Sequence, residues 1–124
     1  MLMDSSETRR RKRIPAKPTH GLSKQRLDEL VEEATIDAYG ESEQATGFYT
    51  MMENDLRLPF TTEILGIAVI VESIDFAGDD QLVAVCRKGN HRQRILLFDL
   101  PMPSPLPEGG EWITAYCHWR RAWM

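Results

Sequence analysis

A chain of 124 residues and 14.2 kDa can close one modest core but not two. Its 42% hydrophobic and 27% charged residues are ordinary for a globular domain. The net charge of −4 hides an asymmetry: residues 1–20 carry six basic and two acidic residues, a net of +4, whereas the remainder carries nine basic and seventeen acidic residues, a net of −8. An acidic body argues against nucleic-acid binding through the folded part. The basic arm (Arg9, Arg10, Arg11, Lys12, Arg13, Lys17) reads as a disordered tail over 1–20 that touches a polyanion or protein partner, or folds back on its own domain. The longest apolar run, Ile64 to Val71, is eight residues, too short for a membrane span. The arginines at 9–13 lead into Pro15 and Pro18 instead of an apolar segment, so they do not form a secretory signal. Two cysteines give no disulfide framework, and the expected compartment is the reducing cytoplasm.

Order is expected from residue 21 onward, as a single domain over 21–124. Leu27, Leu30, Val31, Ala34 and Ala38 repeat with helical spacing and predict a helix over 23–39, with Gly40 as its C-terminal cap. Ser42 is placed as the N-cap of a second helix over 42–56, whose apolar stripe is Ala45, Phe48, Tyr49, Met52 and Leu56. That helix must stop before Pro59. The period then changes. Four β-branched-rich runs between 60 and 99 (61–65, 67–76, 81–87 and 92–98) alternate with turn signals at Gly66, Gly78-Asp79-Asp80 and Gly89-Asn90. Short strands with tight turns predict a bent antiparallel sheet or open barrel. Pro101, Pro103, Pro105 and Pro107 make a stiff connector, and Trp112, Tyr116, Trp119 and Trp123 line a last helix over 111–122 as an aromatic stripe covering the sheet or the helix pair. Segregated helices and strands place the chain in the α+β class.

The chemistry-bearing residues are chiefly acids. On a helical wheel Asp28, Glu29, Glu32 and Glu33 point away from the first stripe, while Asp37 sits at its edge beside Leu30. Glu53 and Asp55 flank the second stripe, and Glu41 and Glu43 lie where the two helices join. Carboxylates from a helix end, a turn and a second helix, with backbone carbonyls, are a donor set for calcium. Zinc would want His or Cys, and none occurs between residues 21 and 85. The same acids also suit a solvated surface that favours helix N-termini.

The run DAYGESEQATGFYTMMENDLRLPF, followed by strands ending in VAVCRKGNHRQRILLFDLP, resembles the small bacterial calcium-binding proteins of the cyanobacterial heterocyst-regulator type. The resemblance covers roughly residues 30–100. Its most specific elements are Asp37-Ala38-Tyr39, Gly47-Phe48-Tyr49 and Leu58-Pro59-Phe60. It implies a helix pair on a small SH3-like antiparallel barrel of about four to five strands. It also implies reversible calcium binding without an EF-hand, in a buffer or regulator, and no EF-hand loop pattern occurs here. The metal ligands it implies are Asp37, Glu41, Glu43 and Glu53.

Other constellations compete. Asp75, Asp79 and Asp80 at a strand turn are a second acidic cluster, although Gly-Asp-Asp is ordinary turn chemistry. Arg87, Lys88, Arg92 and Arg94 form a basic hairpin which, with the tail, would serve a nucleic-acid-associated module. Catalysis has the least support, and no enzyme activity is expected. The histidines are His20, His91 and His118, the last beside Cys117, where adjacent helical residues point about 100° apart. Oligomeric state is left open.

Overall fold

The computed structural model describes residues 19–122. Residues 1–18 of the expected tail, and Trp123, lie outside them. The element order is α1 (Lys24–Ala34), α2 (Glu41–Asp55), β1 (Phe60–Ile64), β2 (Ile67–Phe76), β3 (Leu82–Lys88), β4 (His91–Leu96), a 3-10 turn (Leu97–Asp99) and α3 (Glu111–Ala122). The class is α+β, as the change of hydrophobic period predicts. No helix among the described residues is long and apolar enough to cross a membrane.

The first helix is shorter than its pattern implies. Ser23 caps it by accepting from the Arg26 amide at 3.0 Å. It ends at Ala34, where both the amide and the hydroxyl of Thr35 turn back onto the Val31 carbonyl, at 3.0 and 2.7 Å. Asp37 is therefore off the helix, in a left-handed conformation with φ 59°. Gly40 (φ 88°) serves as the N-cap residue of α2 and not as the C-cap of α1, and Ser42 falls inside α2. Gly47 sits where the helices meet: a Cβ there would lie 2.0 Å from the Ala34 carbonyl oxygen.

The strands form one antiparallel meander in the order β1-β2-β3-β4, with β1 and β4 as its two edges, so the sheet is open. Its register slips once. Val71 faces Cys86 but Ser73 faces Val85, which leaves Glu72 as the extra residue of a bulge. Through the slip, Val71, Ile74, Leu82, Ala84 and Cys86 keep to one buried face. That face shares a single core with Leu30, Phe48 and Met52 of the helix pair and with the α3 residues Trp112, Ile113, Tyr116 and Trp119.

The aromatic stripe of α3 is the keystone of this core. Tyr116 stacks edge-on against Phe48 (5.8 Å between centroids) while its hydroxyl accepts from the Leu82 amide at 3.1 Å, so one side chain ties α3 to both α2 and β3. Trp119 Nε1 donates to Gln44 and Trp112 Nε1 donates to Asp55, at 2.8 and 2.9 Å. Gly109 (φ 79°) allows the connector to pass the end of α2, where a Cβ would stand 2.2 Å from the Asp55 carbonyl oxygen.

Candidate functional site

The corner between α1 and α2 holds three of the four acids implied by the resemblance, each differently engaged. Glu43, one turn into α2, reaches back and accepts from the Tyr39 amide at 2.7 Å, in the manner of a capping box. This puts its carboxylate two residues along the chain from Asp37. Asp37 is exposed, and among the described residues no hydrogen bond or ion pair engages it. The Ala38 carbonyl on the same turn accepts only a long contact, 3.4 Å, from Gln44 Nε2. Glu41 faces the other way, where its carboxylate takes the guanidinium of Arg120 from α3. That guanidinium is buried and also lies 5.5 Å from the centre of the Trp119 ring.

Glu53 is not at this corner. It neighbours the Tyr49 hydroxyl, whose pKa is raised by burial, then by the charges of Glu53 and Asp75. Tyr49 itself packs on Phe76 at 4.9 Å. One member of the first acidic set and one of the second therefore meet around one tyrosine, a juxtaposition across α2 and β2 that spacing alone does not show. Asp79 and Asp80 occupy consecutive left-handed positions in the β2–β3 turn (φ 65° and 59°), while Asp75 accepts from its neighbour's amide and from Arg94, at 2.8 and 3.3 Å. Among the described residues, no group of three or more His, Cys, Asp or Glu side chains stands together in a geometry ready to hold a metal ion.

The basic hairpin forms as expected, with Arg87 opposite Arg92 and Val85 opposite Arg94. Its arginines are already engaged. Arg87 and Arg92 converge on Glu72 at 2.6 and 2.8 Å, and the hydrogen bonds from Arg92 and Arg87 hold the Glu72 carboxyl below the usual carboxylate range. Arg94 joins Asp75. The bulge at Glu72 aims that acid at both guanidiniums.

Sequence reasoning did not find Arg120 as the counter-ion of Glu41, because 79 residues separate them and only the packing of α3 brings them together. It also missed the pairing of His118 with Asp28 across α3 and α1 at 2.9 Å. Burial raises the Cys86 thiol above its ordinary pKa, so it is protonated at neutral pH. No known protein family, curated protein or solved structure matches the chain.

Proposed function

We propose that this protein binds calcium reversibly at the α1–α2 corner, through Asp37 and Glu43 with backbone carbonyls of the turn and water completing the shell. The observation that carries the reading is the Glu43 carboxylate folded back onto the Tyr39 amide, beside an exposed left-handed Asp37. A carboxylate that accepts one amide hydrogen retains lone pairs for a cation. Calcium tolerates such loose, water-completed shells, whereas magnesium demands near-octahedral order. Glu41 belongs to the site only when it releases Arg120, and Glu53 lies apart on Tyr49. An open site with few charged ligands belongs at the weak end of calcium affinities, with Kd on the order of 10⁻⁴ M. The acidic body and the resemblance of residues 30–100 support the same reading. Part of that reading is an SH3-like form for the meander, for which the bulge at Glu72 speaks, since bulges bend a strand.

Thermal unfolding in chelator and in about 1 mM calcium tests it. Occupancy at tenfold Kd stabilises the native state by about 1.4 kcal/mol, a rise in Tm of roughly 5 °C. Equal Tm values in calcium and chelator would overturn the reading. A polyanion-binding role for the hairpin is weaker, since a phosphate would have to displace Glu72 and Asp75 from Arg87, Arg92 and Arg94.

A further inference from the structure

The two edges of the sheet are unlike. β4 exposes His91, Arg92, Gln93 and Arg94 in succession, and such charges discourage another strand from pairing there. β1 reads Phe-Thr-Thr-Glu-Ile, with neither lysine, proline nor bulge. Among the described residues, no backbone hydrogen bond reaches its outer side. The proline connector passes the strand at Thr62, whose hydroxyl donates to the Pro101 carbonyl at 2.5 Å. Between it and the strand lies a depression of about 410 Å³ that both Thr61 and Glu63 line.

The groups presented at that edge follow from the hairpin. Ile64 pairs with Ile67 around a two-residue turn, Leu65-Gly66, with φ of 52° and 79°. The pair closing such a turn exchanges both hydrogen bonds, so Phe60, Thr62 and Ile64 bond to β2. The N–H and C=O of Thr61 and Glu63 point outward. At the turn, Leu65 is 96% exposed in a left-handed conformation that a leucine adopts at a cost, and Ile67 beside it is 52% exposed. The turn therefore leaves two neighbouring apolar side chains open to solvent at the end of the free edge.

We propose that β1 pairs antiparallel with β1 of a second copy, centred on Thr62, joining two four-stranded sheets into one of eight strands. The self-complementarity of the strand selects this occupant. Centring on Thr62 sets Thr61 against Glu63 of the other copy twice, satisfying all four outward N–H and C=O pairs. Centring on Glu63 would oppose two like charges, and centring on Thr61 would oppose Glu63 to Pro59, which has no N–H. The same register brings each Leu65 turn beside Leu58 and Pro59 of the other copy, so the exposed apolar tip is covered.

Sedimentation equilibrium of the full chain up to about 1 mM tests this. The expected result is a monomer–dimer equilibrium. Thr61→Pro removes an outward N–H without touching β2 and should raise the dimer Kd at least about tenfold. Leu65→Asn suits the turn better and should raise Tm while also weakening the dimer, and it leaves the strand itself intact. A wild-type monomer at every concentration, or a dimer that Leu65→Asn leaves unchanged, overturns it.

Discussion

Arg120 and Thr114, six residues apart on α3, show how a buried polar group is or is not accommodated. Arg120 is 6% exposed and carries its charge into the core margin because Glu41 and the Trp119 ring receive it. Arg120→Ala would leave Glu41 without its counter-ion and is expected to cost roughly 3 kcal/mol in urea unfolding. The Thr114 hydroxyl is buried with no hydrogen-bond partner among the described residues. Thr114→Val keeps the shape and removes an unsatisfied group, so stability should be unchanged or higher by about 1 kcal/mol. Glu72 supplies a pH signature. Its folded pKa lies below the ordinary value of 4.5 because Arg92 and Arg87 bond the charged form. Its contribution is therefore complete above the unfolded pKa and is lost as pH falls through the folded one. Unfolding free energies measured from pH 6 down to pH 3 should decline in the acid range, and Glu72→Gln should decline less steeply.

At the scale of elements, the contact of α1 with α2 rests on Gly47. The Gly47-Phe48-Tyr49 motif is largely a packing device: the glycine admits the Ala34 carbonyl, Phe48 fills the core and Tyr49 covers Phe76. Gly47→Ala is expected to destabilise the fold by about 3 kcal/mol, as overpacking against backbone that has no room to retreat. The termini of elements were the least legible part of the sequence. α2, β2 and α3 fall within one residue of their predicted bounds because their apolar periodicity runs uninterrupted to Pro, Gly or turn residues. α1 misses by five residues at its C-terminus because Ala38 continues the spacing after Thr35 has already closed the helix on Val31.

Across the whole molecule, the class and the strand order of hairpins followed from local signals, since a meander needs no long-range information. Which groups face one another between distant segments depended largely on α3, and no local pattern reports its docking. The acids show the same division. Their number and neighbourhood were readable, but Glu41 belongs to Arg120, Glu53 lies by Tyr49 and Asp55 holds Trp112, while at the α1–α2 corner Asp37 is exposed and Glu43 accepts from the Tyr39 amide. Calcium titration calorimetry on the chelator-treated protein, run in parallel on Asp37→Asn, tests that assignment most directly. Asparagine tolerates the left-handed backbone and removes only the charge. The account predicts a saturable heat with Kd on the order of 10⁻⁴ M for the wild-type chain and its loss in the variant; no heat from the wild type, or identical isotherms for the two, would contradict it.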